Sequence, residues 1–441
     1  MSNSRRRRRS RRIRRIRRSI ATVVIFLIAA IMVIVIKKNF FTGTDVKKIG
    51  DNWWYTQNGF IEHEYNGFAS NKNGLWFIQN GKVNFNFNGI EKHKNDWFFI
   101  RNGKVDYSYT GIAKNQNGWW RIKNGKVDFN YNGLAENENG WWQIENGQVN
   151  MSYTGIAENE YGRWYVQNGQ VDFSYNQPYF QNGTLYTLEN GKVANETKMI
   201  AHRGLSSEAP DNTVKSFTLA GKAGFWGCET DIYLTKDNQF IVEHNDDFGE
   251  SCGVKKTPGE MTVSEIKQLK ITNGANYNQY KDDETAIRVP TLIEYLAVCK
   301  EYGMTPVIEI KEKAYSNSAG LKEHTELLYD TVKQAMGDQN VIFISMDFDK
   351  LRQMREVLNE HSDTTTILQH VVYSTSDDMI QTYKSLGMEL DSAFTGITPD
   401  QITRYHDSNI KIGLWIVNDQ NKLYDFAKSG INYITTNQKS W

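Results

Sequence analysis

At 441 residues the chain exceeds one ordinary folding core, so two or three domains are expected, and an apolar content of 39% is enough to pack them. The formal net charge of +1 hides an asymmetry: eleven arginines between Arg5 and Arg18 leave −10 on the remainder, so no nucleic-acid partner is expected beyond residue 18. Three cysteines (Cys228, Cys252, Cys299) make no disulfide framework; a Cys228–Cys252 bridge is one arrangement, and buried free thiols are the expected one.

The first 18 residues form an Arg-rich tail, and Ser19–Ile36 is an uncharged apolar run of 18 residues. Its length suits a transmembrane helix, and no small-x-small cleavage site follows in residues 37–49. The arginines before the run outweigh Lys37 and Lys38 after it, which orients the N-terminus to the cytoplasm and everything from about residue 40 outward. The expectation is an uncleaved signal anchor in the cell membrane with an extracellular remainder. A basic tail that binds nucleic acid is the rival reading, but the adjoining apolar run already accounts for the arginines as a topology signal.

Residues 50–194 repeat with a period of 22: the glycine of an Asn-Gly pair recurs at Gly59, Gly81, Gly103, Gly125, Gly147, Gly169 and Gly191. An aromatic residue stands five positions before each glycine (Trp54, Trp76, Phe98, Trp120, Trp142, Trp164, Tyr186) and Ile or Val two positions after. Asn-Gly between alternating segments supplies the two positive-φ positions of a type I′ hairpin turn. One hairpin cannot bury its apolar face alone, so stacked copies must share a core. The aromatics are either that core or paired grooves for sugars or quaternary amines. In period and Trp/Gly/Tyr content the array resembles the aromatic-glycine cell-wall-binding repeats of Gram-positive surface proteins, including the choline-binding type, with a distinct spacing and an Asn-Gly-Lys-Val core. The resemblance implies a cell-wall polymer as partner.

From residue 195 to 441 short β-branched runs alternate with amphipathic helical patterns. Strands are expected at 199–202, 228–233, 240–244, 306–311, 341–346, 365–370, 389–394, 411–417 and 431–436. Strict β/α alternation over this length predicts an α/β fold, a (β/α)8 TIM-type barrel. Nine candidates compete for eight places, and 389–394 is expected to be a side feature. Residues 245–305 are too many for a plain βα unit and read as an insertion.

Barrel chemistry comes from the C-terminal ends of strands. The first expected strand ends at His202-Arg203, which could also be a mere strand cap. The second carries Glu229 and Asp231, whose i, i+2 spacing sends both carboxylates to one face. The third ends at His244, the fourth presents Glu309 and Lys311 on one face, and Trp415 completes the set. Three converging carboxylates repel one another unless a cation sits among them, and an all-oxygen donor set suits Mg²⁺ or Ca²⁺ rather than zinc. The histidines are then free for acid–base work, Arg203 and Lys311 for an anionic substrate such as a phosphate ester. His370 is a weaker catalytic rival; His324, His361 and His406 are expected at the surface.

His202-Arg203-Gly204, Ala209-Pro210-Asp211-Asn212-Thr213, Glu229-x-Asp231, His244, Glu309-Ile310-Lys311 and Trp415-x-x-Asn418, in that order, resemble the glycerophosphodiester phosphodiesterase family. The resemblance implies a metal-dependent barrel enzyme that splits glycerophosphodiesters into glycerol 3-phosphate and an alcohol. It implies His202 and His244 as the acid–base pair, and Glu229, Asp231 and Glu309 as ligands of the divalent cation. Arg203 and Lys311 would hold the phosphate, and Trp415 would pack on the glycerol. The chain departs from the family pattern at Asn245, Asp211 and Thr435-Thr436. Head groups of deacylated phospholipids and polyglycerophosphate polymers such as teichoic acids are the expected substrates of such an enzyme outside the cell. The alternatives are a wall-binding or adhesion protein with an impaired barrel, and a phospholipase-type barrel phosphodiesterase.

Overall fold

The computed structural model describes residues 17–33, 35, 43–311, 313–314 and 320–439. The apolar run expected to span a membrane lies partly outside them, because 34 and 36 are not described. Residues 17–33 and 35 are helical, and no helix among the described residues is long and apolar enough to cross a membrane. The described chain forms two compact units, one ending at Tyr161 and including Val166–Val171, the other comprising Gly162–Tyr165 and Asp172 onward.

The first unit is the repeat array, and it begins with the strand Thr44–Ile49, paired antiparallel with Asn52–Gln57. Both residues of each Asn-Gly turn have positive φ, as at Asn80 (51°) and Gly81 (73°), the I′ geometry that the sequence predicts. Up to Gly169 the strand after that turn is only two residues long; the longer pairing spans the other turn, as in Gly67–Asn71 with Gly74–Gln79. From Gly81 onward each turn glycine of the series is also locked by the preceding copy. The Gly81 amide donates to the Tyr65 carbonyl at 2.9 Å, and a Cβ there would stand 2.4 Å from the Glu62 carbonyl oxygen. The fully buried column is Ile78, Ile100, Ile122 and Ile144, not the tryptophans. The indoles lie half-buried, and the residue after Asn-Gly in the next copy pairs across Trp54, Trp76, Trp120, Trp142 and Trp164. Lys82 stands over Trp54 and Lys104 over Trp76, at 4.5 and 5.6 Å from the ring centroids. Opposite Trp120 and Trp142 that position holds Gln148 and Gln170, which donate to the carbonyls of Asn117 and Asn139.

The second unit is a closed barrel of eight parallel strands: β1 (Lys192–Ala201), β2 (Gly227–Leu234), β3 (Thr305–Ile310), β4 (Ile342–Ser345), β5 (Ile367–Val372), β6 (Glu389–Ala393), β7 (Ile412–Trp415) and β8 (Tyr433–Thr436). Each pairs with the next, and β8 closes on β1 through the register Lys198↔Tyr433 to Ala201↔Thr436. Alternate residues point inward, where Ile200, Val307, Ile342, Ile344, Val371 and Tyr433 pack together. The others pack outward against helices that include α1 (Val214–Ala223), α2 (Leu292–Tyr302) and α3 (Leu321–Met336). α1 starts at a Thr213/Ser216 capping box and stops at Gly224 (φ 80°), which is why its pattern is so sharply bounded.

Two strand assignments are corrected. Phe240–Val242 is no barrel strand; it folds back antiparallel on β2. Glu389–Ala393, expected to be a side feature, is β6. The region after Phe240–Val242 holds only short helical turns before α2. The three cysteines are free, so no Cys228–Cys252 bridge forms.

β1 has a double membership. Its first half pairs antiparallel with the strand Thr184–Glu189 and its second half lies in the barrel. Leu185 of that hairpin is 1% exposed in the barrel's outer core, and Gly183 (φ 75°) passes so close to Trp226 that a Cβ would stand 2.3 Å from its backbone nitrogen.

Candidate active site

The C-terminal ends of the strands open into a cavity of about 560 Å³. His202, Arg203, Glu229, Glu309, Lys311 and His244 form one side of it, and Trp415 lines the other. All eight residues singled out in the sequence therefore converge, Asp231 lying at the base with 1% of its surface exposed.

Local structure explains the convergence. His202 follows β1, and Arg203 takes a left-handed backbone (φ 53°), a conformation costing a non-glycine residue about 1–3 kcal/mol. That turn aims the Arg203 amide at Glu229 Oε2 (2.9 Å) and its carbonyl at the Asn212 amide (3.0 Å). Gly204 follows because a Cβ there would meet Ser216 Oγ at 2.4 Å. The Arg203 guanidinium reaches Asp211 (3.1 Å) and Asp231 (3.4 Å), so the Asp211 departure keeps an arginine partner.

Glu229, Asp231 and Glu309 each offer one oxygen, all within 4.8 Å of one another. Burial and the neighbouring carboxylates push Glu229 well above the usual carboxyl range and Glu309 up to about 8. Burial acts the same way on Asp231, but Arg203 and Lys311 outweigh it and hold that group low. Asp231 Oδ2 accepts from Asn212 Nδ2 (2.8 Å), whereas buried Oδ1 accepts no hydrogen bond, the Lys311 ammonium standing 3.4 Å away. An orphaned oxygen between two carboxyls disfavoured as anions is what a hard divalent cation would satisfy, and the oxygen separations fit its ligand distances of roughly 2.0–2.6 Å. The residues present fit the ion.

The two histidines are held alike. His202 Nδ1 lies 2.7 Å from Asn437 Oδ1, which also accepts from Ser206 Oγ. His244 Nδ1 lies 3.0 Å from Asn245 Oδ1, while the Asn245 amide nitrogen donates to Glu250. With amide oxygens facing both rings, each Nδ1 carries the hydrogen and each Nε2 keeps its lone pair. Asn245 thus orients His244 despite departing from the family pattern. Burial and the charge of Arg203 lower His202 to about 4, and burial lowers His244.

On the far wall stand Ile344, Met346, Val371, Tyr373 and Asp391 with Trp415, whose ring meets that of Tyr373 edge-on at 5.3 Å. Thr435 also lines the cavity, and Thr436 Oγ1 donates to Asn418 Oδ1 (3.0 Å). His370 is not among the cavity residues; its Nδ1 contacts the Tyr383 hydroxyl at 2.7 Å. His361 is exposed, and His324 and His406 are half-buried. Sequence reasoning missed Asn437, Tyr373 and Asp391, and it placed Asn212 in a family motif without the role of donor to Asp231. Of the three missed outright, Asp391 alone carried a signal, the Glu389-x-Asp391 spacing that equals Glu229-x-Asp231.

The profile of the glycerophosphoryl diester phosphodiesterase family matches residues 202–439, more than half of the chain. The chain belongs to the glycerophosphoryl diester phosphodiesterase family. As a glycerophosphodiester phosphodiesterase, it is 25% identical over 244 residues to the enzyme of that name from Caldanaerobacter subterraneus subsp. tengcongensis, covering 55% of this chain and 94% of the relative. It is 22% identical over 241 residues to that of Bacillus altitudinis, covering 54% and 94%. A solved Oleispira antarctica phosphodiesterase in complex with the product sn-glycerol-3-phosphate is 21% identical, covers 54% of this chain and 92% of its own, and superposes with a TM-score of 0.48. The repeats of this phosphodiesterase match the choline-binding repeat profile at 64–84, 86–106, 108–128, 130–150 and 152–172.

Proposed function

We propose that this phosphodiesterase works outside the cell, held at the membrane by residues 19–36 and at the wall by its repeats, and releases glycerol 3-phosphate from glycerophosphodiesters, polyglycerophosphate polymers included. The observation that carries the catalytic reading is the pair of histidines with anchored Nδ1 in the same cavity as the acidic triad, His202 Nε2 standing 4.0 Å from Glu229 Oε2. Glu229, Asp231 and Glu309 would hold the divalent cation, Mg²⁺ or Ca²⁺. When bound, the cation supplies Lewis-acid stabilisation of charge on the phosphoryl oxygens. Arg203 and Lys311 bind and orient the phosphate, their charges set at the cavity rather than recruited from solvent. One neutral histidine takes a proton on Nε2 from the nucleophile, either water or the neighbouring hydroxyl of the glycerol, and the other, acting from its imidazolium form with both ring nitrogens protonated, gives its Nε2 proton to the leaving alkoxide. Trp415 covers the glycerol and keeps water from its face.

Anchoring is supported by the apolar run and the eleven arginines before it. Wall attachment is supported by the repeat match and by half-buried indoles, with Trp120 and Trp142 lacking the lysine that stands over Trp54 and Trp76.

The test is release of glycerol 3-phosphate from glycerophosphodiesters and from polyglycerophosphate, with Mg²⁺, Ca²⁺ or EDTA, beside His202→Ala. Release that needs the cation and falls by about 10²–10⁴ in the variant is expected. A folded protein that releases nothing with either cation would leave a wall-binding protein on an inactive barrel.

A further inference from the structure

The far wall carries a carboxyl to which the catalytic reading gives no work. Asp391 points into the barrel from β6, its register neighbours being Val371 on β5 and Gly413 on β7. Gly413 makes room for it, since a Cβ there would lie 2.6 Å from Asp391 Oδ1. Two residues further along β7, on the same face, Trp415 donates its indole N–H to the Asp391 carbonyl (3.3 Å). The Asp391 carboxyl is therefore seated one layer below the indole, in the cavity yet only 5% exposed. Among the described residues no donor reaches it. Arg203 and Lys311, the cations of the cavity, face Asp231 instead. A buried carboxyl without a donor is costly, and a cavity that keeps one leaves its donors to come from the ligand.

We propose that Asp391 is a specificity-determining residue that accepts hydrogen bonds from the free hydroxyls of the glycerol covered by Trp415. This rests on the reading of the cavity as a glycerophosphodiester site and adds which end of a substrate it takes. A terminal glycerol presents two free hydroxyls, matched to the two carboxylate oxygens. A glycerol inside a polyglycerophosphate chain carries a second phosphate where one of those hydroxyls would be, and that anion would face the Asp391 carboxylate with no cation between them. The enzyme consequently works inward from the glycerol terminus of a polymer and releases monomer.

Binding, measured by calorimetry on the full chain at pH 8, where the Asp391 carboxyl is ionised, with Mg²⁺ present, tests this without turnover. The ligands are sn-glycerol 3-phosphate, propyl phosphate (the same carbon chain without hydroxyls) and glycerol 1,3-bisphosphate. Wild type should prefer sn-glycerol 3-phosphate over propyl phosphate by about 10- to 100-fold, the range for hydrogen bonds to a charged group. Asp391→Asn should cut that preference by about tenfold or more and strengthen bisphosphate binding. Gly413→Ala, which displaces the carboxyl without removing it, should cut the same preference and serves if Asp391→Asn does not fold. An undiminished preference in both variants, or equal weakening of all three ligands, overturns the proposal. Failure of the glycerophosphodiester reading has a different signature: no phosphate ester binds wild type, and the proposal falls with it.

Discussion

Replacing Asp391 by Asn should make the barrel more stable, and increasingly so as pH rises. Burial lifts this carboxyl to about 7, against an ordinary aspartate value near 3.8. The unfolded chain releases its proton near pH 4, whereas the folded chain holds it until pH 7. Across that window the unfolded state binds fewer protons, so the stability contributed by protonated Asp391 drains away as pH rises and is gone above pH 7. The interval is about three pH units at about 1.4 kcal/mol each, a handicap on the order of 4 kcal/mol at pH 8 relative to pH 4. The Asp391→Asn variant has no charge to bury at this position and so escapes that handicap. Thermal unfolding at pH 5, 6, 7 and 8 in EDTA should show two curves that approach each other in acid and diverge above. At pH 8 the variant should melt higher, by roughly 8–16 °C if each kcal/mol moves the midpoint by about 2–4 °C. Parallel curves would refute the reasoning, because they would mean that the carboxyl finds a partner in the fold and pays no burial cost.

Asn437→Ala removes the acceptor that faces His202 Nδ1 at 2.7 Å, and kcat should fall about tenfold with KM little changed; an unchanged kcat would show that the ring needs no such support. A barrel cut at residue 195 loses Leu185 from its core and half the pairing of β1, so it should melt well below one cut at 172, the Leu185 contribution alone being about 2–5 kcal/mol. Equal midpoints would place the hairpin outside the barrel's stability.

The catalytic side of the cavity was legible because i, i+2 pairs of charged residues inside β-branched runs have no ordinary reason to exist, and Glu229/Asp231 and Glu309/Lys311 are such pairs. The strand count was legible and the identity of the strands was not. Phe240–Val242 and Glu389–Ala393 are both short apolar runs, and only pairing tells the antiparallel return on β2 from the sixth barrel strand. That one exchange concealed Asp391. Asn437 was out of reach for another reason: it meets His202 only because the barrel closes, bringing together residues 235 positions apart. In the repeats the eye goes to tryptophan, but the buried column is isoleucine, whose small, regular side chains fill the centre of each stacked copy.

β1 also settles how a pull would enter the enzyme. A tension applied between the N-terminal side of Thr184 and the barrel runs along β1 toward His202. The barrel half of that strand is flanked by parallel neighbours, with four register pairs to β8 and two to β2. Their hydrogen bonds lie across the direction of pull, so they resist together rather than opening one by one like a zipper. The antiparallel hairpin with Thr184–Glu189 comes first along the load path and can give way before them. Force tolerance is governed by unfolding rate rather than equilibrium stability. The histidine at the end of β1 therefore sits behind a mechanical fuse, shielded until the hairpin has yielded.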